Sequence, residues 1–127
     1  MERLTKPPLY GVGIFVPVSD LKRSTAWYTE MLGLEIIHRD EPDAIVMRMN
    51  DEKVSFCLVR SDEVKQPVFP NNNYGVGQYF NIHTTDVGGM HRLLKAKGAD
   101  VGDIEDFDGF QGFSLMDPDG NRFGVTA

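Results

Sequence analysis

The chain has very little cysteine: Cys57 is alone, so no disulfide can form within it. The fold must hold by burial, and this usage suits a reducing, cytoplasmic setting. There is no basic excess. Thirteen Lys and Arg stand against nineteen Asp and Glu, for a net charge of −6. The basic residues are scattered rather than striped, which argues against nucleic acid as a partner. The same acidic balance argues against an anionic membrane surface. There is no long hydrophobic run either. The apolar stretch Leu9–Val18 is too short to span a bilayer and contains Gly11, Gly13 and Pro17. No small-residue cleavage site follows it, so no signal peptide is expected. The three histidines, His38, His83 and His91, are scattered without a close His/Glu pairing. That is no metal motif.

What is present is a repeat. Gly11–Leu34 reads GVGIFVPVSDLKRSTAWYTEMLGL, and Tyr79–Val101 reads YFNIHTTDVGGMHRLLKAKGADV. Each copy has an apolar strand, an Asp at its end (Asp20, Asp86), an amphipathic helix and a closing glycine (Gly33, Gly98). The period of about 66 residues is too long for a solenoid. With 127 residues, 41% of them hydrophobic, the chain can form one ordinary domain or two half-domains around a core.

Periodicity extends the reading. In Val12–Val18, Ile14, Val16 and Val18 take one face while Gly13, Phe15 and Pro17 take the other. Ser19 or Asp20 can cap the helix that ends at Leu32. Strands follow at Leu34–Arg39, Ala44–Met49 and Val54–Arg60, the last two turning at Asn50–Lys53. The first module, about 9–60, is thus β-α-β-β-β. Residues 61–77, with Pro67, Pro70 and Asn71–Asn73, read as a linker. The second module, 78–127, opens with a strand over Gln78–Thr84 that puts Tyr79, Asn81 and His83 on one face. A helix capped by Asp86 follows. A weak strand near Asp100–Ile104, a glycine-rich loop over Asp106–Gly112, and strands Phe113–Met116 and Arg122–Thr126 complete the second β-α-β-β-β. Asp117–Asn121 (DPDGN) is turn chemistry.

Four stretches, in this order and spacing, carry a family resemblance. They are Val16–Leu21 (VPVSDL), Trp27–Leu34 (WYTEMLGL), the helix end at Leu93–Gly98, and Asp117–Asn121. Together they resemble the vicinal oxygen chelate superfamily, which includes glyoxalase I, bleomycin- and fosfomycin-resistance proteins and extradiol dioxygenases. The resemblance implies an α+β fold in which two βαβββ modules form a curled mixed sheet, with helices outside and a cup between the modules. It also implies a homodimer.

Metal-dependent members hold a divalent ion in the cup through His, Gln or Glu, where it acts as a Lewis acid. Counting from the landmarks, the resemblance places those ligand positions at Gly13, Tyr79 and Gly124, with Cys57 the best match for the fourth. Glycine offers no donor, and a phenol is a poor ligand unless deprotonated. The expectation is therefore no metal and no cofactor. Gly13 and Gly124 empty space in the cup, while Phe15 and Tyr79 add aromatic surface.

The candidate ligand-binding residues are Phe15, Cys57, Tyr79, Asn81, His83 and Arg122. His83 reads as a hydrogen-bonding or acid–base group in the cup, or as a partly exposed strand-end histidine. Asn81 needs a partner there, whether ligand, water or arginine. Cys57 reads as a small buried hydrophobe more readily than as a nucleophile. Arg122 either holds an anionic group or follows the turn on the surface. His38 and His91 read as solvated, and Asp117 and Asp119 as turn residues. The loop Phe107–Phe113 either lids a pocket or plugs the core through Phe110.

The expected function is binding of a small organic molecule, a drug or metabolite, without metal. The alternative is a lyase, isomerase or dioxygenase using a non-standard metal set or His83.

Overall fold

A computed structural model describes residues 6–50, 53–107 and 109–127. The chain divides into two compact units, Met1–Ser61 and Asp62–Ala127. Each repeats the same plan. In the first, β1 (Val12–Val18), α1 (Leu21–Leu32), β2 (Glu35–Asp40), β3 (Ala44–Arg48) and β4 (Val54–Arg60) give a sheet of order β1-β4-β3-β2. In the second, β5 (Asn81–His83), α2 (Val87–Ala96), β6 (Asp100–Val101), β7 (Glu105–Phe107), β8 (Phe110–Met116) and β9 (Arg122–Thr126) give the order β5-β9-β8-β6, with β7 also paired to β8. In both, the first strand lies parallel to the last, and the other pairings are antiparallel. The architecture is α+β, as the repeat implies.

The same residue chemistry starts and stops both helices. Asp20 Oδ1 accepts the Arg23 N–H at 3.0 Å, and Asp86 Oδ1 accepts the Gly89 N–H at 2.9 Å. Each satisfies a donor that the helix itself leaves open. Gly33 and Gly98 follow the helix ends with φ of 67° and 81°, where an L side chain is strained.

Alternation along the strands sorts core from surface. In the first unit Val16, Val18, Ile45, Met47, Phe56 and Leu58 are buried, together with Tyr28 and the hydroxyl-bearing Ser24 of α1. The Tyr28 ring lies 6.0 Å from Phe56 and receives Trp27 edge-on at 4.8 Å. In the second unit Phe113, Leu115, Phe123 and Val125 are buried with Val87 and Leu94 of α2. Burying a side chain of this size contributes about 1.5–3 kcal/mol.

Several local expectations are corrected. The strand expected over Gln78–Thr84 is ladder-paired only at Asn81–His83. The reason is local: the Tyr79 hydroxyl donates to the Pro70 carbonyl at 3.3 Å and accepts from Asn72 Nδ2 at 3.1 Å, drawing the segment into the preceding loop. The glycine-rich loop expected at 106–112 instead holds the end of β7 and the start of β8, which pair antiparallel, and Asp106 Oδ1 accepts the Gly109 N–H. Phe110 therefore sits exposed on a strand and does not plug the core. His91 is half-buried rather than solvated. Its Nε2–H donates to the Gly102 carbonyl at 2.9 Å, and its ring meets Phe113 edge-on at 4.9 Å. The centre of the expected Asn50–Lys53 turn lies outside the described residues, though Met49 N–H donates to the Val54 carbonyl beside it at 3.0 Å.

The DPDGN turn is organised by a buried carboxylate. Asp117 Oδ1 accepts from the backbone N–H groups of Asp119 and Asn121 at 2.9 and 2.8 Å, and Oδ2 accepts from Asn121 Nδ2 at 2.8 Å. Gln66 Nε2 donates to the Asp119 carbonyl at 3.1 Å, tying the preceding loop to the turn.

Candidate functional site

The second unit holds a cavity of about 530 Å³. Its floor is the sheet face opposite α2. Register places Asn81 beside Gly124 and Ser114, and His83 beside Thr126 and Gly112. Period-two alternation explains why these small and polar residues share a face while Phe113, Leu115, Phe123 and Val125 turn to the core. The lining also includes the loop Tyr74–Gln78 and the carboxylate residues Asp103 and Glu105.

The expectation that Gly124 empties space is corrected, because close neighbours fill the space over the floor glycines. A β-carbon on Gly124 would strike Asn81 Oδ1, and one on Gly112 would lie 2.8 Å from Thr126 Cγ2 and 3.0 Å from the Val125 carbonyl. The Asn81 carboxamide lies over Gly124 and donates through Nδ2 to the Gln78 carbonyl at 2.9 Å. His83 Nδ1 faces Thr126 Oγ1 at 3.2 Å.

The loop wall is keyed by Asn72. Its Oδ1 accepts the N–H groups of Tyr74 and Val76 at 3.0 and 2.9 Å. Its Nδ2 donates to the Val76 carbonyl and the Tyr79 hydroxyl. The Tyr79 ring stacks on Phe69 at 4.2 Å with the planes 7° apart. From behind, His91 holds Gly102 and packs on Phe113, two residues of the cavity lining.

The six residues singled out in the sequence fall into three groups. Asn81 and His83 line the cavity. Tyr79 belongs to the loop clamp, and Arg122 sits exposed at the start of β9 opposite Met116; neither is in the lining. Phe15 and Cys57 are register partners on neighbouring strands of the first unit, with Phe15 exposed and Cys57 half-buried. Burial, and secondarily the Asp40 carboxylate, push the Cys57 thiol above its ordinary value. Tyr74–Gln78, Asp103, Glu105 and His91 escaped sequence reasoning. The first group looks like a linker, and the partner of His91 lies on another element.

The four positions where the resemblance puts metal ligands do not fit a divalent ion. Gly13 and Gly124 present no donor, and any side chain at 124 would displace Asn81. The Tyr79 hydroxyl is engaged in the loop. Cys57 is then left as one donor, and one ligand does not make a site. Among the described residues no three His, Cys, Asp or Glu are grouped to hold a metal ion. No described helix is long and apolar enough to cross a membrane.

Two units, one βαβββ and one of the same plan with β7 added, and a ligand-sized cavity on one sheet define a class, and comparison identifies it. The family model of the Glyoxalase/Bleomycin resistance protein/Dioxygenase superfamily matches residues 12–125, so the chain belongs to that superfamily. No curated protein matches the sequence. Among solved structures, the chain is similar to a lactoylglutathione lyase from Agrobacterium tumefaciens, with TM-score 0.72, 22% identity and 95% of each chain covered. It is also similar to an antibiotic binding protein from a Streptomyces species, with TM-score 0.70, 22% identity and 97% of each chain covered. A fosfomycin resistance protein from Listeria monocytogenes aligns with TM-score 0.73 and 15% identity over 91% of this chain and 90% of that one. At these identities the likeness establishes the fold alone.

Proposed function

We propose that this protein binds a small organic molecule in the cavity of its second unit without a metal ion, and so sequesters a drug or metabolite. The observation that carries the reading is the cavity itself. Its volume of about 530 Å³ falls in the range of small-molecule sites. Its floor offers an amide, an imidazole and two hydroxyls from Asn81, His83, Ser114 and Thr126. Such a mix of space and few polar groups suits orientation of a ligand. The misfit of Gly13, Tyr79 and Gly124 to a divalent ion, which leaves Cys57 as a lone donor, supports the metal-free half of the reading. The antibiotic binding protein of similar fold supports sequestration as a role.

We further propose a cytoplasmic homodimer. Its support is the lone cysteine, for the location, and the exposed Phe15 on strand β1, for the dimer. One observation favours a second reading as an enzyme. His83 lies in the cavity against Thr126 and could move a proton to or from a bound molecule.

The test is native mass spectrometry of the purified protein together with thermal shifts against a small-molecule library, with and without a chelator. The expected result is stabilisation by a subset of compounds that the chelator does not alter. A stoichiometric divalent ion whose removal abolishes binding would overturn the metal-free reading. Light scattering in solution checks the dimer.

A further inference from the structure

We infer that the cavity of the second unit selects cationic organic molecules, amines or ammonium compounds carrying a planar ring, and rejects anions. This rests on the reading of that cavity as a ligand site. Three features of the lining point the same way. Asp103 and Glu105 bring two carboxylates to the lining. Among the described residues neither carboxylate is engaged in an ion pair or hydrogen bond, so both are available to a ligand. Among the described residues no lysine or arginine lines the cavity, so a bound phosphate or carboxylate would meet uncompensated negative charge.

The wall supplies the third feature. Tyr74 is 92% exposed, and its loop is held in place by the Asn72 bonds to Tyr74 and Val76. Its ring can cover a planar cation, which is attracted to the face of an aromatic ring. The remaining polar groups, Ser114, Thr126 and Asn81, are uncharged and orient rather than select by charge. His83 is the lining residue able to oppose a cation, and its Nδ1 is turned to Thr126. Arg122 does not enter the balance, because it is not part of the lining.

The experiment uses two xanthene dyes of similar size and opposite charge, rhodamine 6G and fluorescein, titrated with the full chain in fluorescence polarisation. The expected result is that rhodamine 6G binds at least about tenfold more tightly than fluorescein, and that added salt narrows the gap. In D103N/E105Q, rhodamine 6G binding should fall by about tenfold while fluorescein binding holds or improves. Both substitutions are at exposed positions, so circular dichroism and melting should be unchanged. Ser114→Trp, or Val76→Trp if the first does not fold, fills the cavity and should abolish dye binding. Equal binding of both dyes, blocked by the filling variant, overturns the charge preference and leaves the cavity as a ligand site. Unchanged rhodamine 6G affinity in D103N/E105Q does the same. Binding of neither dye, or binding indifferent to the filling variant, overturns the site reading and this inference with it.

Discussion

The carboxamide of Asn81 occupies the space that a β-carbon on Gly124 would need. The two residues sit opposite each other on paired parallel strands, so a side chain at 124 must compete with Asn81 for this space. Gly124→Ala must shift the Asn81 carboxamide, whose Nδ2 donates to the Gln78 carbonyl. The expected cost is about 1–3 kcal/mol, read by urea denaturation. Adding Asn81→Ala should recover part of it, with a coupling of about 0.5–3 kcal/mol. Strict additivity of the two substitutions would show that the contact is not what fixes Gly124.

Asp117 gathers three hydrogen bonds from Asp119 and Asn121 inside the turn joining β8 to β9. Asp117→Ala leaves buried donors without their acceptor. It should destabilise the protein by about 1–3 kcal/mol in chemical denaturation. An effect below about 0.5 kcal/mol, the level of an ordinary surface change, would speak against this role.

Asn72 shapes the cavity wall rather than the core. In Asn72→Ala the amides of Tyr74 and Val76 lose the acceptor they share. Hydrogen exchange at these two amides should accelerate, while the amides of β8 and β9 keep their protection. Tyr79→Phe keeps the stack on Phe69 but loses both hydroxyl contacts, at an expected cost of about 0.5–1.5 kcal/mol.

Cys57 should be a slow thiol. Burial raises its titration, and the Asp40 carboxylate adds to that. Alkylation by iodoacetamide at mildly alkaline pH should therefore be slower in the folded protein than in guanidinium, because less thiolate is present. Asp40→Asn should quicken it modestly, since burial is the larger cause. The sign for stability follows from the same shift. The folded state keeps the proton that the unfolded chain releases first. This contribution is fully present below the ordinary thiol value and is lost as pH rises through the folded one. A folded thiol that alkylates as fast as the unfolded one would contradict the shift.

Much of the scaffold was legible because it rests on local chemistry. Asp20 and Asp86 mark helix starts, Gly33 and Gly98 mark helix ends, and period-two alternation placed Asn81 and His83 on one face. The rest depends on partners far along the chain. Nothing near His91 announces that its acceptor is Gly102, and nothing in the proline-rich segment announces that Asn72 folds it into a wall. Strand β7 hid among glycines because its pairing is to β8 across a hairpin whose turn chemistry resembles an irregular loop. Tyr79 obeyed the alternation in sequence but not in space, since its hydroxyl found two partners outside the ladder.

The parallel pairing of β5 with β9 has a consequence for how the protein comes into being. Asn81 and His83 are set in register by Gly124 and Thr126, which are synthesised after every other strand of the unit. A chain ending before Arg122 keeps the residues of α2, β6 and β8, yet it has no strand for β5 to pair with. The cavity is thus a late product of translation. Fragments that lack the final strand would carry the residues of the helix caps and part of the core but not the floor of the cavity.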